Sequence, residues 1–133
     1  MTRVFADTYY FIGLVNPNDR AHRRAIEYSQ RERPSLLTTA WVMTELADGL
    51  ARTQNRGLFS RILFQTEREP SNLMVAASDE LFRKGIARYD QRSDKSWSLT
   101  DCISFVVMEE HGVTEALTAD RHFEQAGFVP LLC

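Results

Sequence analysis

Cysteine is scarce in this chain of 133 residues: Cys102 and Cys133 are its only two. They share no motif spacing, so neither a zinc set nor a disulfide framework can be built from them. No apolar run is long enough to cross a bilayer. The first residues lack a basic segment followed by an apolar stretch and a small-residue cleavage site. The expectation is a cytoplasmic protein without membrane contact. No glycine-rich turn follows a strand, which excludes a dinucleotide-binding module. Repeats and low-complexity segments are absent. An excess of either charge is also missing, since the net charge is −2 and the pI is near 5.9. On whole-chain charge alone, a strong non-specific nucleic-acid binder is not expected.

What is present fits one compact domain over 1–133, with 44% hydrophobic and 26% charged residues. Apolar runs at 3–7, 36–39, 73–76 and 116–118 read as strands, and 129–132 as a last edge strand. Between them, helical patterns run over 8–15, 19–31, 40–52, 58–67, 78–89, 99–111 and 121–125. Asp19 and Ser78 read as helix N-caps, and Gly112 as the residue that closes the most apolar helix. Strands alternating with helices imply a mostly parallel sheet of four to five strands with helices on both faces and right-handed crossovers. Ligands meet such a sheet at the carboxyl ends of its strands.

Four acids fall at that edge. Asp7 ends the first strand in "RVFADTYYFIG", Glu45 lies on the helix of "WVMTELADGL", Asp101 opens the helix of "SLTDCISFVVM", and Asp120 follows the fourth strand in "ALTADRHF". Taken singly, Asp101 reads as a carboxylate meeting a helix dipole, Glu45 as a solvated helix residue, and Asp120 as a cap or a ligand with equal weight. Asp7 resists such an account, because a charge at the tip of a buried strand is costly unless paired. Gathered in one place, the four would raise one another's pKa unless cations intervened. Oxygen donors without His or Cys suit Mg²⁺, with Mn²⁺ as the alternative, and such sites act on phosphates. Thr8 and Thr118 stand beside the acids, as ligands to carboxylate, water or phosphate or as simple turn hydroxyls. Setting the four acids aside turns the net charge from −2 to +2, so the sign of the whole is a poor guide to the substrate.

"FADTYYFIGL", "TELADGLAR" and "DKSWSLTDCISFVVMEEHGVTEALTADRHFEQAGF", in that order, resemble the PIN domain family, and within it the VapC-type toxins of bacterial toxin–antitoxin pairs. The resemblance implies a PIN-like α/β three-layer sandwich and a Mg²⁺-dependent endoribonuclease. Its acidic quartet maps onto Asp7, Glu45, Asp101 and Asp120, and its threonine onto Thr118. Asp7 and Asp101 would then hold the principal metal. Two positions depart from the pattern. Some members carry a further acid where His122 stands, and small polar residues often stand where Tyr9 and Tyr10 do. Of the histidines, none occupies a clear catalytic position, and His111 reads as a helix-end residue.

The resemblance also implies an RNA substrate, a cognate antitoxin and a homodimer. Arg20, Arg23, Arg24, Arg52, Arg56 and Arg61 are candidates for phosphate contacts or for solvated helix faces. Tyr9, Tyr10 and Trp97 are candidates for base stacking, with Tyr10 the one best suited to the core. The 58–67 helix carries more apolar surface than a connector needs. Phe59 and Ile62, with Trp41 and Leu50 on the preceding helix, are therefore expected to line an antitoxin groove. Other readings stay open: a PIN-type nuclease in RNA processing, a DNA nuclease, or a catalytically silent interaction domain. The length of the chain favours the toxin. A haloacid-dehalogenase-like phosphatase would need a second acid in Asp7-Thr8-Tyr9, and a response-regulator receiver an acidic pair and a late lysine.

Overall fold

A computed structural model describes residues 3–133. Five parallel strands form one sheet in the order β3-β2-β1-β4-β5. They are β1 (Arg3–Ala6), β2 (Ser35–Thr39), β3 (Leu73–Val75), β4 (Glu115–Leu117) and β5 (Val129–Pro130). The helices are α1 (Thr8–Val15), α2 (His22–Glu32), α3 (Ala40–Leu50), α4 (Leu58–Arg68), α5 (Asp79–Gln91), α6 (Leu99–Glu110) and α7 (Arg121–Gln125). The result is the α/β three-layer sandwich that alternating strands and helices demand.

The central strands are buried on both sides, so they lack polar alternation. Phe5, Ala6, Leu37, Ala116 and Leu117 are all fully buried. The most apolar helix, α6, is sealed along most of its length. Phe105 on α6 meets Phe123 of α7 at 5.0 Å and Trp97 at 5.1 Å edge-on, and stacks on Phe128 at 5.6 Å. This aromatic cluster fastens α6, α7 and the preceding loop to one another.

The chain leaves β1 toward β2 and β3, then returns to lay β4 and β5 on the other side. Strand order therefore reverses between β1 and β4, where a crevice opens at the carboxyl edge of a parallel sheet. Adjacent register brings Ala6 opposite Leu117, so the residues that follow each strand meet.

Two boundaries differ from expectation. Asp19 does not cap α2: its Oδ1 accepts from Ala21 N at 2.9 Å and its carbonyl from His22 N at 3.1 Å, making a turn before the helix. The last strand is shorter than 129–132, although Leu131 N and Leu132 N still donate to Ala116 O and Thr118 O. Gly112 does close α6 with φ +65°, a conformation that side chains disfavour.

Helices α5 and α6 approach closely at Gly85. A Cβ there would lie 2.3 Å from Ile103 Cγ1, and Ile103 is itself buried. Gly85→Ala is expected to destabilise the protein by about 1–3 kcal/mol through overpacking. Alanine's better helix propensity offsets at most ~1 kcal/mol of that. Urea unfolding measures the balance, and an unchanged midpoint would show that the two helices separate freely.

Candidate active site

Asp7 directly follows β1 and occupies the N-cap position of α1. An aspartate there ordinarily caps the first turn, yet its side chain makes no cap bond. The carboxylate instead accepts a hydrogen bond from the Thr118 hydroxyl, at Oδ2 and 2.9 Å. Asp7 is 4% exposed. Burial pushes its carboxyl up to about 7; the Thr118 hydroxyl and Thr8 amide offset part of this, and the charges of Asp101 and Glu45 add to it.

The other acids arrive from three helices. Asp101 is the third residue of α6 and closes a capping box: Ser98 Oγ accepts from its amide at 3.0 Å, and its Oδ2 accepts from Ser98 N at 3.2 Å. Burial, with the Asp120 charge, raises its carboxyl, while His122 and the Ser98 amide pull the other way. Asp120 caps α7 through Oδ1, which accepts from His122 N at 2.9 Å. Glu45, on α3, accepts a hydrogen bond from the Thr8 hydroxyl. Thr118 ties two of these positions together, because its oxygen also accepts from Asp120 N at 3.0 Å.

The four acids share one cleft of about 440 Å³, completed by Thr8, Tyr9, Ile12, Ser96, Ser98 and His122. No lysine or arginine lines it among the described residues. A hollow of about 470 Å³ opens elsewhere, against Leu36 and Ile62, but holds a single carboxylate, Glu69. It lacks the convergent charge that distinguishes the first. With no lysine or arginine to balance four carboxylates, the acidic cleft has the donor chemistry of a divalent cation.

His122, which stands where some family members carry a further acid and whose contribution the sequence left open, lies in the site. Its Nδ1 lies 3.0 Å from Asp101 Oδ2 and 3.4 Å from Asp120 Oδ1. The signal was its place two residues after Asp120, on a helix too short to carry it away. His111, by contrast, turns its Nδ1 onto Val107 O at 2.9 Å and ends α6.

Other expected contacts divide. Tyr9 is half exposed at the cleft, whereas Tyr10 and Trp97 are core residues at 3% and 6% exposure. The Trp97 indole donates to Gln125 Oε1 at 3.0 Å, so it is a packing residue and is unavailable for stacking. Leu50 is likewise corrected: at 3% exposure it belongs to the core and offers no groove wall. Trp41, Phe59 and Ile62 are half-buried against that core, whereas Phe64, on the outward side of α4, is largely exposed. None of the six candidate arginines lines the cleft. Arg24 donates to Leu132 O at 3.0 Å, tying α2 to the end of the chain, and Arg56 donates to the nearby Ala51 O at 2.9 Å.

Thr118→Val keeps the shape of the side chain and removes both of its hydrogen bonds. It is expected to destabilise the fold by about 1–3 kcal/mol, since a buried carboxylate and an amide lose their partner. Thermal melting checks this, with Thr118→Ser restoring most of the loss.

Fold and cleft together define an α/β protein with an acidic site at the switch point of a parallel sheet. The chain belongs to the PIN domain family, whose model matches residues 4–129. It is 27% identical over 128 residues to the 23S rRNA-specific endonuclease VapC20 of Mycobacterium tuberculosis, covering 95% of each chain. The crystal structure of VapC20, described as a Sarcin-Ricin loop cleaving toxin, superposes with a TM-score of 0.82 at 23% identity, covering 95% of this chain and 96% of the other. FitAcB from Neisseria gonorrhoeae gives 0.62 at 14% identity over 96% and 94%. The resemblance read from the sequence is thus borne out at the level of family and fold. Among the described residues, no helix is long and apolar enough to cross a membrane.

Proposed function

We propose that this protein is a metal-dependent endoribonuclease and the toxin of a toxin–antitoxin pair. The observation that carries the reading is the convergence of Asp7, Glu45, Asp101 and Asp120 on one cleft that no lysine or arginine lines. These residues would hold Mg²⁺ or Mn²⁺, and the bound ion would draw a phosphodiester into an acidic cleft and acidify the attacking water. The chain's own part is preorganisation. Thr118 fixes Asp7, the Ser98 capping box fixes Asp101, Thr8 fixes Glu45, and the α7 cap fixes Asp120. Tyr9 presents an exposed ring at the cleft, where an unpaired base can stack.

VapC20 is named for 23S rRNA, and we take ribosomal RNA as the substrate class here. An antitoxin segment would cover the half-buried face of Trp41, Phe59 and Ile62, and the toxin would pair as a homodimer. The experiment incubates purified protein with ribosomes and with total RNA, in Mg²⁺, Mn²⁺ or excess EDTA, and maps new 5′ ends. Discrete cleavage with either ion and none in EDTA is expected. Cleavage that persists in EDTA would overturn the metal reading, and intact RNA under all conditions would overturn the nuclease.

A further inference from the structure

His122 stands where the acidic set is densest. Asp101, Asp120 and His122 each offer a ligand atom, and these atoms all lie within 4.8 Å of one another. Octahedral coordination at ~2.1 Å sets neighbouring donors roughly 3 Å apart. The imidazole Nδ1 meets that spacing to both carboxylates, at 3.0 Å from Asp101 Oδ2 and 3.4 Å from Asp120 Oδ1. The ring is held from two sides. Its backbone amide donates to Asp120 Oδ1 at 2.9 Å, and its far nitrogen, Nε2, has Ser96 Oγ at 3.5 Å. A ligating histidine needs such a partner, since the outer nitrogen must carry the proton while the inner one gives its lone pair.

We infer that His122 Nδ1 is a nitrogen ligand at the Asp101–Asp120 end of the cation site, and that this donor makes the site prefer Mn²⁺ to Mg²⁺. The inference rests on the metal-dependent reading above and extends it to the choice of ion. Mg²⁺ takes oxygen donors and gives up water reluctantly, whereas imidazole suits first-row transition ions. The competing role is a hydrogen-bond donor that only positions Asp101, and it leaves a different signature.

The test strips the wild-type protein with EDTA, reloads it with Mn²⁺ and records its electron spin echo modulation. Coupling to an imidazole ¹⁴N is expected, and it disappears in His122→Gln. Calorimetric titration should show Mn²⁺ affinity falling about tenfold in that variant, with Mg²⁺ affinity changing by less than about threefold. Bound Mn²⁺ without ¹⁴N coupling in the wild type overturns the inference and leaves the metal site standing. Failure of the wild type to bind Mn²⁺ or Mg²⁺ at all overturns both. The wild-type spectrum decides the question even where the variant misfolds.

Discussion

Asp7→Asn is expected to lower RNA cleavage on the order of a thousandfold, the scale seen when one preorganised polar group is removed from a reacting centre, while the metal-free protein becomes more stable. The two effects share one cause. Asp7 is buried, and its charge is opposed by burial first and then by Asp101 and Glu45. An amide of the same shape still accepts from Thr118 and donates toward the acids that the carboxylate repels. It loses the charge that attracts a hard cation. Cleavage assays and thermal melts on the same samples decide the matter, with an upward shift of about 5 °C or more expected in EDTA. Wild-type activity in the variant would remove Asp7 from the site; a lower melting temperature would show that its charge is already compensated.

The stability of the metal-free protein is expected to fall as pH rises from about 4 to about 7, and divalent ions should reverse the loss. Asp7 has a folded-state pKa of about 7 against 3.8 for the free side chain. Between these values the native state holds a proton that the unfolded chain has released, so raising the pH favours unfolding. The penalty is absent below 3.8, grows through the interval and is complete above about 7, where it reaches roughly 4 kcal/mol. Asp101, raised chiefly by burial, acts in the same direction. An ion that binds only the native site restores about 2.7 kcal/mol at a hundred times its Kd. Melts at pH 5, 6, 7 and 8, with EDTA and with Mg²⁺ or Mn²⁺, should diverge as pH rises. A flat profile in EDTA would show that the Asp7 charge costs nothing.

Much of this was legible in the sequence because parallel α/β folds write themselves in local terms. The strand at Leu36 reads as an apolar run, the end of α6 as a glycine, and the start of α5 as a serine. Asp7 was legible for a different reason: its position contradicts its chemistry unless something binds it. What escaped depends on distance in space. Nothing local tells that Trp97 turns inward to meet Phe105 and Gln125, or that Leu50 packs into the core while Phe64 does not. An amphipathic helix announces a face but not what covers it. The place of His122 stayed open in the sequence because its meaning depends on Asp101, a residue of another helix brought near by the aromatic cluster around Phe105.

The hydrogen bond from Thr118 to Asp7 spans 111 positions of the chain. β1 sits at the middle of the sheet and receives its β4 neighbour late. During synthesis the first strand, with Asp7 at its tip, must therefore wait for the segment carrying Asp101, Thr118 and Asp120. A nascent chain halted anywhere before Asp120 has the first acid and not the last, so it lacks the complete cleft. On the toxin reading proposed above, the cleft would be complete only once the final elements have emerged, and an antitoxin would need to meet only the finished molecule.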